Sequence, residues 1–297
     1  MKRTVALLSA VLFVFAGAFA ALNAEEKDMK KCPCPMCAQH AGHMGKGMGM
    51  GMDMGKCRDS KPSMPLIGDD APAFTADTTQ GTINFPQDYK GKWVILFSHP
   101  ADFTPVCTTE FMTFAKMMPE LKELNCELIG LSIDSKYSHI AWLRTIQEKI
   151  KYKGMQNMEV TFPLIEDIKM DVAKKYGMVQ PNASGTQAVR AVFFIDPNAK
   201  IRALVYYPLS NGRNFQEIKR LLIAMQTSDK YKIATPADWQ PGDDVIIPPP
   251  GSCGTAKTRV DSASKDGYYC LDWFMCFKPL AKGLTAPAVL NEKTKSK

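Results

Sequence analysis

The chain has 297 residues, of which 45% are hydrophobic and 23% charged, with a formal net charge of +7. That length holds one good-sized domain with appendages or two small ones, and the balance is that of a soluble globular protein. No basic run interleaved with aromatics points to nucleic acid, so the mild positive surplus reads as solvated surface.

In chain order, Met1-Lys2-Arg3 followed by the apolar run Val5 to Leu22 has the charged and hydrophobic regions of a secretory leader. Residues 1–24 are read as a signal peptide cut after Ala20 or Ala24, with an uncleaved anchor as the alternative. The mature protein is then exported, periplasmic or extracellular. Nine cysteines, at 32, 34, 37, 57, 107, 126, 253, 270 and 276, cannot all pair within one chain. At least one is free, intermolecular or redox-active. An oxidising compartment locks pairs as static disulfides unless a reductant is supplied there.

Residues 25–62 carry almost no aliphatic or aromatic side chains and are expected to be disordered without a ligand. Cys32, Cys34, Cys37, His40 and His43 precede a Gly-Met alternation from Met44 to Met54. Thiolates, imidazoles and thioethers are soft ligands suited to Cu(I) or Zn(II), and the methionines favour copper. A flexible low-complexity linker is the plain alternative.

The folded part is expected to begin near Met64, with residues 63–228 as the main domain and 229–297 as a C-terminal arm. Trp93-Val94-Ile95-Leu96-Phe97 reads as a buried strand after the turn Lys90-Gly91-Lys92. A helix follows with Phe111, Phe114, Met118 and Leu121 on one face. Glu127 to Ile133 is a second buried strand, with Cys126 before it as a small core hydrophobe. Asp134-Ser135 caps a helix, on which His139 reads as a surface residue. Phe162 to Ile165 is a short strand, and Asp171 to Tyr176 a short helix ended by Gly177. Val189 to Pro197 and Ile201 to Tyr206 pair as a hairpin, and Phe215 to Met225 is an amphipathic helix.

Between the first strand and its helix lies Ser98-His99-Pro100-Ala101-Asp102-Phe103-Thr104-Pro105-Val106-Cys107-Thr108-Thr109-Glu110. A cysteine at a helix start meets unpaired N–H groups and the positive dipole end, which favour thiolate, the nucleophilic form. Thr104, three residues earlier, can hydrogen-bond whatever the sulfur attacks. Pro100 and Pro105 stiffen the loop. Arg190 stands in an otherwise apolar strand, where an unpaired guanidinium is costly, so it must meet an anion or solvent.

Pro100, Thr104 and Cys107 match the Pro-x-x-x-Thr/Ser-x-x-Cys motif of peroxiredoxins, and the longer string resembles the peroxiredoxin-6 subfamily. The resemblance implies an α/β, thioredoxin-like fold of peroxiredoxin type with a C-terminal dimerisation arm, and the β-α order above agrees with it. It implies a thiol peroxidase reducing hydrogen peroxide and organic hydroperoxides. Cys107 would be the nucleophile, and Thr104, Pro100, Arg190, Glu110 and His99 its surroundings. Glu110 would pair with an active-site arginine, and Arg213, in Gly-Arg-Asn-Phe, would stand behind the first contacts. No metal or organic cofactor is implied for that chemistry. Tyr89 to Trp93 lacks the serine of the Gly-Asp-Ser-Trp-Gly stretch found in some relatives, so phospholipase activity is not carried over.

The ending Tyr268-Tyr269-Cys270-Leu271-Asp272-Trp273-Phe274-Met275-Cys276 resembles archaeal-type relatives with a Cys-Leu-Asp-Trp-x-x-Cys tail. There a tail cysteine resolves the oxidised active-site cysteine of the neighbouring subunit. This implies Cys276 as resolver, Cys270 as second candidate, an external thioredoxin-like dithiol as reductant, and a homodimer or a larger ring. A local Cys270–Cys276 disulfide is the competing reading of the pair, and Cys253 has no assignment. Two other functions compete with the peroxidase. A thioredoxin-type oxidoreductase needs Cys-x-x-Cys, and Thr108-Thr109-Glu110 follows Cys107 instead. A metal-binding or chaperone-like role would rest on residues 25–62.

Overall fold

The computed structural model describes residues 64–280 apart from 181, 183 and 184. The expected leader and the Cys/His/Met-rich stretch therefore lie outside the described residues. Among the described residues no helix is long and apolar enough to cross a membrane.

The apolar run after Gly91 forms strand β3 (Trp93–Ser98), all six of whose residues are buried. It is sandwiched between β4 (Cys126–Ser132), parallel to it, and β6 (Arg190–Ile195), antiparallel to it. Both neighbours are near-continuous hydrophobic runs, as expected of strands covered on two faces. Around them lie β1 (Phe74–Thr78), β2 (Gly81–Phe85), β5 (Leu164–Glu166) and β7 (Ile201–Tyr207), in the order β2-β1-β5-β4-β3-β6-β7.

The period of two along β3 divides the core. Trp93, Ile95 and Phe97 face one layer, with Phe111, Phe114 and Leu121 of α1 (Pro105–Glu123), Trp142 and Ile146 of α2 (Lys136–Lys149), and Ile218 and Leu222 of α4 (Phe215–Tyr231). Val94 and Leu96 face the other, with Ile129, Ile165, Phe193 and Val172 of the short α3 (Asp171–Lys175). Fully burying one such Leu, Ile or Phe side chain stabilises by about 1.5–3 kcal/mol, so these two layers dominate the fold.

The predicted elements from Trp93 to Met225 are present with small shifts of boundary, and α4 runs six residues further, to Tyr231. The expected domain break after residue 228 thus falls inside a helix. Asn214 caps that helix, accepting from the N–H groups of Gln216 and Glu217. Cys126 is buried in β4 as expected, and burial pushes its thiol well up, which keeps it protonated and inert. The β1–β2 hairpin adds to the expected elements; its alternation is short and interrupted by polar residues.

One placement is a correction. His139 is fully buried, not on the helix surface. The inward stripe of α2 is His139, Trp142 and Ile146, at the i, i+3, i+7 spacing, while Tyr137 and Ile140 are exposed. Two acceptors meet the His139 ring: the Asp102 carboxylate and the Ile165 carbonyl.

The C-terminal arm holds β8 (Val245–Ile247), α5 (Cys253–Ser262), β9 (Tyr269–Asp272) and β10 (Met275–Lys278). Its three strands form a separate sheet in the order β8-β10-β9. Trp239 and Val245 lead into it and join the same buried cluster as α1 and α4, so the arm is anchored to the main core.

Candidate active site

Cys107 is the third residue of α1 and has no solvent exposure. Thr104 is the N-cap residue, with Pro105 at the first helical position, where a missing N–H costs nothing. The Thr104 hydroxyl donates to the Ala101 carbonyl at 2.9 Å and accepts no N–H of its own helix. Its lone pairs remain able to accept a hydrogen bond from an incoming O–H. Just before it, Phe103 takes a left-handed backbone (φ 55°) while being a bulky, exposed residue. Such a conformation in a non-glycine residue is costly and concentrates at functional loops. Pro100 is buried behind it.

Arg190 opens β6, a strand away from the helix, and is itself buried. Its Nη1 lies 3.2 Å from Cys107 Sγ and 2.8 Å from Glu110 Oε2. Nε and Nη2 both donate to the Leu209 carbonyl, at 3.0 and 2.8 Å, which fixes the plane of the guanidinium. Glu110 is one helical turn on from Cys107 and also buried. Its Oε2 takes a second guanidinium, Arg213 Nη1 at 2.6 Å, while Oε1 accepts the Arg213 backbone N–H at 2.9 Å. The other end of Arg213 donates to the carbonyls of Ser98 and Ala191, tying β3 and β6 together below the sulfur. Burial brings the Arg213 guanidinium down to about 10 while Glu110 holds it up, so it stays charged at neutral pH.

The charges in this cluster do not cancel among themselves. Two buried arginines face one buried glutamate, an excess of one positive charge out of reach of water. An uncompensated buried charge is strongly unfavourable, and the Cys107 sulfur lies against this cluster, 3.2 Å from Arg190 Nη1. The arrangement sets the Cys107 sulfur beside a positively charged donor that can orient an oxygen under attack.

His99, the remaining residue expected at the site, is also fully buried but makes no hydrogen bond to Cys107. It stacks on Trp142 with ring centroids 5.2 Å apart and meets the edge of Phe111 at 4.8 Å. Its Nε2 lies 3.0 Å from Asp102 Oδ1, and Asp102 Oδ2 lies 2.8 Å from His139 Nδ1. Burial works to raise the Asp102 carboxyl, but the hydrogen bonds from His139 and His99 outweigh it and bring it to about 2. Burial lowers His99, which is held neutral.

Sequence reasoning missed three residues here. Asp102 joins two histidines. Ser98 donates to Val189 and accepts from Ala191, clamping the strand beside Arg190. Trp142 donates to the Thr108 hydroxyl next to Cys107. Asp102, three residues after His99, was the one readable signal.

In the arm, Cys270 and Cys276 are directly opposite one another on β9 and β10 and are bonded to each other. The local disulfide, the competing reading of this pair, is therefore present, and neither is a free thiol in this state. Cys107, Cys126 and Cys253 are free, Cys253 being exposed at the start of α5.

Sheet order and site together define a thioredoxin-like protein with a buried cysteine sulfur at a helix start beside an arginine. Residues 67–204 match the AhpC/TSA family, and residues 224–262 match the C-terminal domain of 1-Cys peroxiredoxin. A peroxiredoxin of Methanosarcina mazei is 71% identical over 215 residues, covering 72% of this chain and 98% of that protein. A peroxiredoxin of Aquifex aeolicus is 50% identical over 226 residues, covering 73% and 97%. Among solved structures, the yeast mitochondrial 1-Cys peroxiredoxin is 43% identical with a TM-score of 0.64, covering 73% of this chain and all of that one. A cysteine-to-serine mutant of peroxiredoxin 6 of Arenicola marina is 34% identical with a TM-score of 0.61, covering 73% and 99%. The chain belongs to the peroxiredoxin family, the thiol peroxidases.

Proposed function

We propose that this peroxiredoxin reduces hydrogen peroxide and organic hydroperoxides through Cys107, and that its C-terminal tail restores the oxidised sulfur. The Cys107 thiolate attacks the terminal peroxide oxygen; the O–O bond breaks, water or alcohol leaves, and a sulfenic acid remains. Arg190 and Thr104 orient the oxygen and stabilise the developing charge. Cys276, or Cys270 as second candidate, condenses with the sulfenic acid to a disulfide and releases water. An external thioredoxin-like dithiol then reduces that disulfide.

The observation that carries this reading is the 3.2 Å approach of Arg190 to Cys107 within a buried cluster short of one negative charge. The exposed apolar side chains of the arm, Leu271, Trp273, Phe274 and Met275, support a homodimer in which this face is covered by a second subunit. We place the protein outside the cytoplasm, on the strength of its N-terminal leader. The soft-ligand stretch from Cys32 to Met54 is a separate Cu(I) or Zn(II) site, which deletion of residues 25–62 removes without loss of peroxide turnover.

The test is a pair of variants. Cys107→Ser abolishes peroxide reduction, and Cys276→Ser leaves a single turnover per chain. Multi-turnover reduction by Cys107→Ser overturns the assignment.

A further inference from the structure

The Cys270–Cys276 bond raises a question that the two-cysteine cycle leaves open: why the resolving cysteine should be joined to a partner other than Cys107. The two tail sulfurs differ in position. Cys276 lies on β10, the middle strand of the arm's sheet, paired with Ile247 on one side and Cys270 on the other, and has no solvent exposure. Cys270 lies on β9, the edge strand, and is half-buried. An external thiolate must reach a sulfur along the S–S axis, and the outer sulfur of this bond is that of Cys270. The family match to the C-terminal arm stops at residue 262, so both cysteines lie in a segment beyond it.

We propose that Cys270 is a third catalytic cysteine, which takes the oxidation from Cys276 and presents it to the reductant. The proposal rests on the reading of Cys276 as resolver. In the first step the Cys276 thiol condenses with the Cys107 sulfenic acid, forming the Cys107–Cys276 S–S bond and releasing water. In the second, the Cys270 thiolate attacks the Cys276 sulfur; the Cys270–Cys276 bond forms, the Cys107–Cys276 bond breaks, and Cys107 leaves as thiolate. Arg190 Nη1, 3.2 Å from that sulfur, is placed to stabilise the departing charge. In the third, an external dithiol protein attacks Cys270, expels the Cys276 thiolate, and closes its own disulfide, so two electrons enter for each peroxide reduced.

Two consequences separate this relay from a static tail disulfide. Cys107 is returned to its buried cluster before any reductant arrives, so the reductant never needs to reach a sulfur with no solvent exposure. The tail, where the two strands are four residues each, is the part that opens and closes. Such short strands separate at low cost compared with the central sheet.

The experiment maps disulfides by mass spectrometry after fully reduced protein is given one equivalent of hydrogen peroxide and quenched with acid. Wild type is expected to end with Cys270–Cys276 joined and Cys107 free. Cys270→Ser is expected to stop at Cys107–Cys276. Turnover of Cys270→Ser with thioredoxin as the dithiol should fall roughly tenfold or more, with sulfenic acid formation unchanged. If wild type itself stops at Cys107–Cys276 with Cys270 a free thiol, the relay is overturned and the resolver assignment stands. If Cys107 enters no disulfide in Cys270→Ser, the resolver assignment falls and the relay with it. A Cys270–Cys276 bond that persists through turnover with thioredoxin also overturns the relay.

Discussion

Cys107 is held between two layers of a seven-stranded sheet and its helices, whereas Cys270 and Cys276 are held in a three-stranded sheet at the end of the chain. The first sulfur is surrounded by buried ionic groups from its own helix, Glu110, and from two distant segments, Arg190 on β6 and Arg213 before α4. The second pair is surrounded by exposed apolar side chains and held by a local hairpin register. A catalytic thiolate must be fixed in place while its charge is compensated, which calls for long-range, rigid packing. A sulfur that carries oxidation elsewhere must move, which calls for a small element with little buried area.

The sharpest way to break the comparison is to remove the nucleophile. Cys107→Ser should lower peroxide turnover at least ~10³-fold while leaving the Cys270–Cys276 disulfide able to form under air, checked by turnover assay and by peptide mapping. Next comes the arginine that touches it. Arg190→Lys keeps a positive charge but loses the donors that engage Leu209, Glu110 and Cys107 together. Turnover should fall about 10²- to 10³-fold, with a smaller loss of stability.

Glu110→Gln tests the ionic balance from the other side. It leaves two buried arginines without their shared carboxylate, and unfolding in denaturant should show a loss of about 3–5 kcal/mol. An equivalent substitution at exposed Asp272 in the arm should cost under ~0.5 kcal/mol.

Acid dependence gives a smaller effect. His99 is lowered by burial from 6.5, and Asp102 is brought from 3.8 to about 2. In both cases the unfolded chain binds protons more readily than the folded one, so stability is full above these ordinary values and lost as pH falls. The histidine part starts below pH 6.5 and the Asp102 part between 3.8 and about 2. His99→Gln should flatten the first part of the profile by up to about 1.4 kcal/mol per pH unit, measured by denaturant titration at pH 7 and 5.

Much of the main domain was legible because its strands are long apolar runs and its site lies in one contiguous string. Cys107, Thr104 and Pro100 could be read locally, and Arg190 stood out as a charge among hydrophobes. What could not be read were pairings across distance. His139 looks like a polar residue on a helix surface because its partner, Asp102, is 37 residues away. Arg213 does stand behind the site, but its grip on both carboxylate oxygens of Glu110 depends on a close approach that only the folded chain reveals. The β1–β2 hairpin and the arm's sheet escape a sequence reading because short strands with mixed polarity carry little periodic signal. The pairing of Cys270 with Cys276 was one of two open readings, since spacing alone does not decide which sulfurs meet.

The most direct test of the central claim is to trap the first product. Protein carrying Cys270→Ser and Cys276→Ser, treated with one equivalent of hydrogen peroxide and a sulfenic-acid-selective dione, is digested and the label located by mass spectrometry. The label is expected on Cys107, close to one per chain, and its yield is expected to collapse in the same protein with Arg190→Ala. Label on Cys253 or Cys126 with Cys107 unmodified would contradict the account.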